Sequence, residues 1–204
     1  HSDPIEKNLR IMDRNTERLL NLTNQLLDFR KTEISGFSLN FVKANISDLL
    51  RDVNLQFQFA AEQKQLHYET ILPERDLFAY IDLEAFYKIM SNLIDNAIKY
   101  GKSIVEVKLI VQEHNDEFTI LVKNDGSKIS AELKEKIFEP FFRARETEMK
   151  QGTGIGLSIS KSLTELHKGQ LNLTEDEGDY NIFVARFPIH QTMEFNLEGK
   201  WKKK

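Results

Sequence analysis

The sequence contains no cysteine, which excludes a disulfide framework, thiol catalysis and any cysteine-ligated metal site. It also lacks long apolar runs, so no segment is expected to span a bilayer as a helix. No charged-then-apolar leader opens the chain, which argues against a secretory precursor. Positive charge is not in excess. Lys+Arg number 28 against 32 Asp+Glu, a net charge of −4, and duplex-binding domains usually carry a clear basic surplus. No nucleic-acid partner is expected. What remains is globular in composition: 204 residues, 40% hydrophobic and 29% charged. That length suits one domain, or one domain with an appendage. Prolines number four and glycines nine, and three of those glycines fall between Gly152 and Gly156.

Ser2 to about Thr32 reads as one long helix. Asp3 can cap it, Pro4 suits its first position, and Glu6 completes a capping-box-like pair. Ile5, Leu9, Met12, Thr16, Leu19, Thr23 and Leu26 recur at alternating four- and three-residue steps, a heptad seam widened by Leu20, Leu22 and Leu27. About 28 helical residues extend ~42 Å, too long for one small domain to cover. A bundle or coiled-coil helix that pairs with helices from elsewhere is therefore expected. Glu33-Ile34-Ser35-Gly36 stops it and marks a boundary.

Beyond the boundary the pattern is mixed. Strands are expected at Leu39–Val42, His67–Leu72 and Phe78–Ile81, and amphipathic helices at Ile46–Gln63 and Asp82–Tyr100. Ser103–Gln112 and Glu117–Lys123 alternate with period two around His114-Asn115-Asp116, a hairpin. Ala131–Lys136 reads as a short helix and Gly156–His167 as a longer one. Gln170–Thr174 and Asn181–Phe187 form a second hairpin around Gly178-Asp179. The class is α+β, a two-layer sandwich with helices on one face of a mixed sheet, preceded by the long helix. Residues 1–35 form the helical segment, 36–192 the folded domain, and 193–204 a polar basic tail that reads as a solvated terminus.

Four segments carry unusual chemistry. In Ser91–Tyr100, Asn92, Asn96 and Lys99 share one helix face opposite the stripe Leu93, Ile94, Ala97 and Ile98. Asparagine is a poor mid-helix residue, so two on one face cost stability. A carboxamide oxygen suits magnesium, and Lys99 suits a phosphate. A solvated polar face explains the segment equally well. In Gly152–Ser160, three alternating glycines precede an apolar helix, freeing the backbone to approach an anion at the helix start. The segment fits neither the dinucleotide fingerprint nor the P-loop. Val122–Ile129 alone is an Asn-Asp-Gly turn at a strand end. Ile137–Glu146 alone is a surface loop anchored by a buried Phe138 and Phe141, followed by a charged stretch to Gln151.

Together and in this order the four segments resemble the N, first-glycine, F and second-glycine boxes of sensor histidine kinases, within the Bergerat-fold ATPases. Leu19–Glu33 resembles the second helix of the dimerisation and phosphoacceptor hairpin. With the following GFSLNF, it is closest to hybrid two-component sensors. Leu166–Leu171 and the final strand are similar to the closing elements of the family. The resemblance implies that Asn96 holds magnesium, that Asn92 supports the phosphate end, and that Lys99 neutralises phosphate charge. Tyr100 would flank the adenine, Asn124 would read it, and Gly126 would let the backbone approach. Gly152, Gly154 and Gly156 would bracket a mobile lid and cradle phosphates, with Thr153 and Leu157 among the nucleotide-binding residues. Phe138, Phe141 and Arg143 would anchor and arm the lid.

Two positions depart from the family pattern: Asn124 stands where aspartate is usual, and Lys128 replaces a glycine. None of His1, His67, His114, His167 and His190 sits in the expected acceptor setting, so the phosphoacceptor is expected on a hairpin helix outside this chain. The implied activity is transfer of the γ-phosphoryl of Mg-ATP to that histidine, without self-labelling by this chain. ATP and Mg2+ are the implied cofactors. The implied partners are the acceptor hairpin of the same protein, a receiver domain of a response regulator, and a second copy through residues 1–35. The implied setting is the cytoplasmic portion of a membrane-anchored sensor. An ATP-hydrolysing relative or a nucleotide-binding scaffold are the alternatives. Hydrolysing relatives typically carry glutamate at the Asn92 position, and neutral Asn92 cannot take a proton from water.

Overall fold

A computed structural model describes residues 4–33, 38–112, 116–143, 152–174, 178–191, 193–195 and 201–203. The opening helix α1 (Pro4–Glu33) runs for 30 residues, as its heptad pattern predicts. Its seam is uncovered: Ile5, Leu9, Met12, Leu19, Leu20 and Leu27 are all more than half exposed. Thr16 and Thr23 return their hydroxyls to the carbonyls of Met12 and Leu19, each at 2.9 Å. The cap at Asp3 and the boundary at Ile34–Gly36 lie outside the described residues.

The domain that follows contains β1 (Val42–Asn45), α2 (Ile46–Gln63), β2 (His67–Ile71), β3 (Phe78–Ile81) and α3 (Leu83–Tyr100). It continues with β4 (Ile104–Gln112), β5 (Glu117–Asn124), α4 (Gly156–Leu166), β6 (Gln170–Thr174) and β7 (Asn181–Pro188). The main sheet has the order β2-β4-β5-β7-β6, parallel between β2 and β4 and antiparallel elsewhere. Period-two alternation puts Val105, Val107 and Leu109 of β4 inside, opposite Asn124, Val122 and Ile120 of β5. Helices α2, α3 and α4 cover that face, α3 contributing Phe86, Ile89, Met90, Leu93, Ile94 and Ala97 at 1% exposure or less. The rings of Phe86 and Phe118 flank that of Phe187, with centroids 5.8 and 5.3 Å away. This is the two-layer α+β sandwich expected from sequence.

Asp82 closes the N-terminus of α3, its Oδ1 accepting from the Ala85 N–H at 2.9 Å and its Oδ2 from the Asn40 N–H at 2.7 Å. The fully buried His167 fixes the far side. Its Nε2 accepts from the Asp82 N–H at 3.1 Å, so the ring proton sits on Nδ1, 2.7 Å from the Leu163 carbonyl. One neutral imidazole thus joins the end of α4 to the start of α3.

Three expectations are corrected. The first strand lies three residues later than Leu39–Val42, because pairing with Phe78–Ile81 selects Val42–Asn45, while Leu39 is buried outside any strand. Ala131–Lys136 forms no α-helix but two 3₁₀ turns, Ala131–Leu133 and Lys136–Phe138. Only Phe138 there is buried, and Pro140 follows. The tail is not without regular structure: β8 (Met193–Phe195) pairs antiparallel with β9 (Trp201–Lys203), apart from the main sheet. A reading from composition averages over such short local alternation.

Candidate functional site

The asparagine face of α3 does not simply meet solvent. Asn92 Nδ2 donates to the Gly156 carbonyl at 3.1 Å and to Ser160 Oγ at 3.2 Å, tying mid-α3 to the first turn of α4. One turn on, Asn96 is half-buried and its carboxamide makes no hydrogen bond among the described residues. Lys99, one further turn along, places its ammonium 4.9 Å from the Tyr100 ring centroid. The same ammonium lies 2.5 Å from where a Cβ on Gly152 would stand, so the absent side chain is what lets this cation reach the loop.

The glycine loop is held from several sides. Gly154 adopts φ +76°, and a Cβ there would come within 2.8 Å of the Phe141 carbonyl carbon. Its own carbonyl accepts from the Phe141 N–H at 2.9 Å. Phe141 is itself left-handed, φ +66°, an uncommon conformation for a bulky residue and one that stores strain. The expectation of Phe141 as a buried anchor is corrected: it is 59% exposed, because its backbone, not its ring, makes the contact with the loop. Phe138 is the buried anchor, edge-on to Phe183 with centroids 6.3 Å apart. Arg143 is half-buried. The lid expected between Arg143 and Gly152 lies outside the described residues.

Helix α4 opens on Gly156 with Ile155 in the capping position and no side-chain cap, which leaves its first amides to another acceptor. Thr153 does not point to that helix start alone. Its hydroxyl donates to Gln25 Oε1 of α1 at 2.5 Å and receives the Ile155 N–H at 3.4 Å. Leu157 is half-buried against the core.

The third part is the turn after β5. Asn124 is 2% exposed and inward, as alternation predicts, and Asp125 points away from the core. A Cβ on Gly126 would stand 2.5 Å from the Tyr100 carbonyl, so glycine is required for the turn to lie against the end of α3. Lys128, in place of the usual family glycine, is exposed and donates to the Gly178 carbonyl at 2.9 Å, so it braces the neighbouring β6–β7 turn. Asp125 accepts from the backbone N–H groups of Lys102, Ser103 and Ile104 at 2.8–3.1 Å, and from the Ser103 hydroxyl. Burial alone would raise its carboxyl pKa. The Ser103 hydroxyl and these amides outweigh burial and hold it well below the usual carboxylate range.

Three of the four sequence segments therefore meet around the C-terminal half of α3, and the fourth joins them through the hold of Phe141 on the glycine loop. Gln25, Asp125 and Asn181 also take part and were missed from sequence. The only local signal was an asparagine opening a strand at Asn181.

Residues 81–191 match the model of the family described as histidine kinase-, DNA gyrase B-, and HSP90-like ATPases. The chain belongs to this family. It is 32% identical over 194 residues to histidine kinase P4 of Formosa agariphila, covering 92% of this chain and 14% of that protein. Hybrid signal transduction histidine kinase D of Dictyostelium discoideum is 31% identical over 203 residues, covering 96% of this chain and 13% of the relative. The chain thus spans about a seventh of these relatives. Among solved structures, full-length ShkA in complex with AMPPNP shares the fold at TM-score 0.80 and 20% identity, over 90% of this chain and 38% of that one. All four segments fall within the residues matched to this family. No helix among the described residues is long and apolar enough to cross a membrane.

Proposed function

We propose that this chain is the ATP-binding catalytic part of a sensor histidine kinase, passing the γ-phosphoryl of ATP to a histidine on a separate helical hairpin. The observation that carries the reading is the convergence of Lys99 on Gly152 beside the uncapped start of α4. A cation and free amides meet there, and the α3 residue tied to the start of α4 is the neutral Asn92 rather than a carboxylate. Phosphoryl transfer needs positioning and charge neutralisation more than covalent chemistry, and this arrangement supplies both. Asn92 strengthens the case for transfer over hydrolysis, since a carboxamide committed to Gly156 and Ser160 takes no proton from water.

Asn96 fits magnesium, because a half-buried carboxamide without a hydrogen-bond partner among the described residues is a hard neutral ligand facing the same site. Asn96 would hold the ion, and magnesium bound there would supply positive charge to offset that of the phosphates. Thr153, Gly154 and Leu157 would shape the phosphate side, Tyr100, Asn124 and Gly126 the base side, and Phe141 with Arg143 the edge that closes over it. The exposed seam of α1 supports dimerisation through residues 1–35 and packing against the acceptor hairpin. A receiver domain as downstream partner, and a membrane-anchored sensor whose cytoplasmic part this is, complete the proposal. The hybrid kinase relative supports the receiver.

Incubation with γ-labelled ATP tests the reading. The chain alone should stay unlabelled, since α1 contains no histidine and His167 is sealed in the core. A supplied hairpin carrying the acceptor histidine should gain label. Stable phosphohistidine on the chain itself, or an unlabelled hairpin, contradicts it.

A further inference from the structure

Asn181 opens β7 and is 5% exposed, 57 residues beyond Asn124, yet the two carboxamides meet. Backbone groups of fixed polarity dictate how both are turned. The Ile129 N–H can only donate, so Asn181 presents Oδ1 to it at 2.9 Å. Asn181 Nδ2 therefore lies on the other side, donating to the Ser127 carbonyl at 3.0 Å and to Asn124 Oδ1 at 3.4 Å. The Gly126 N–H also donates to Asn124 Oδ1, at 3.0 Å. Both neighbours thus demand the oxygen of Asn124. Its Nδ2 has no acceptor among the described residues and is the group left over. A carboxylate in the same place would satisfy these donors with one oxygen and still present a second. Asparagine presents a donor instead.

We propose that Asn181 is a positioning residue that sets the purine choice of this chain: it holds Asn124 so that an amide N–H, not an oxygen, meets the base. The inference rests on the nucleotide-binding reading above. A 6-amino group is itself a donor and gains nothing from a facing donor, so adenine is left to pair through its ring nitrogen N1. A 6-oxo group accepts directly. The site therefore takes 6-oxopurine nucleoside triphosphates about as well as 6-aminopurine ones, and the selectivity that an inward oxygen would give is absent.

Calorimetric titration of the 204-residue chain with ATP and with GTP, both at saturating magnesium, tests this. Wild-type affinities should lie within about fivefold of each other, the worth of one neutral hydrogen bond. Asn124→Asp should move the ratio toward ATP by about tenfold or more. Asn181→Asp replaces the donor facing Asn124 with a carboxylate acceptor that draws its Nδ2 inward in competition with the Gly126 N–H, so the ratio should also move toward ATP although Asn124 is untouched. A merely structural Asn181 would weaken both nucleotides alike and leave the ratio where it was. Should Asn181→Asp fail to fold in a thermal melt, the wild-type ratio and Asn124→Asp decide the matter. A wild-type preference for ATP above about a hundredfold overturns the inference, as does a ratio unmoved in the folded variants. Binding of neither nucleotide by the wild type overturns the nucleotide site itself. ATP binding with an unmoved ratio overturns the base reading alone.

Discussion

Asp125 joins the turn after β5 to the α3–β4 connection through three backbone amides and one hydroxyl. These donors favour the charged carboxylate, so its pKa is lower in the folded chain than in the unfolded one. A depressed folded pKa contributes stability that is fully present above the unfolded value, about 4, and is lost as pH falls toward the folded one. Asp125→Asn should therefore destabilise by about 1–2 kcal/mol at neutral pH, and by less as the wild type is acidified. Denaturant melts at neutral pH and at about pH 3 check both the size and its convergence. Phe141 is the counterpart, a residue under strain rather than relieved of it. Phe141→Gly should leave stability unchanged or raise it by about 1 kcal/mol, because glycine takes φ +66° freely and the lost ring is exposed. A fall of several kcal/mol in the same melt would show that the ring anchors the loop after all.

At the scale of elements, the glycine loop predicts three different outcomes from one substitution. Gly154→Ala meets backbone at 2.8 Å in a left-handed turn and should destabilise by about 1–3 kcal/mol. Gly156→Ala meets only ordinary contacts at 3.5 Å at the first position of α4 and should be neutral or stabilising by no more than about 0.5 kcal/mol. Gly152→Ala meets the flexible tip of Lys99, so the fold should hold while nucleotide affinity falls several-fold. Paired melts and ATP titrations separate the three. Helices and strands with strong periods were legible from sequence, because α3 buries an unbroken stripe and β5 alternates cleanly to Asn124. What could not be read was set at long range. Asn181 and Asn124 meet across 57 positions, and Thr153 reaches Gln25 across 128. No periodicity encodes either pairing. Likewise, the φ of Phe141 follows from its contact with Gly154, and sequence reasoning that linked phenylalanine to burial placed the ring inside.

For the whole molecule, the uncovered seam of α1 contrasts with a domain whose core closes on itself. A row of leucines this exposed drives association, so the chain should sediment as a dimer and Leu9→Glu with Leu19→Glu should make it monomeric. A wild-type monomer would contradict that. Where α1 touches the rest, it touches the site: Gln25 holds the hydroxyl of Thr153, next to the glycines and the start of α4. The central claim is that the asparagine face of α3 and this loop together form a magnesium-dependent ATP site. Its most direct test is calorimetric titration of the chain and of Asn96→Ala with ATP, with and without magnesium. Wild-type binding should require magnesium, and Asn96→Ala should lose that dependence while its melting temperature is unchanged. Equal magnesium-dependent affinity in the two proteins would contradict the account.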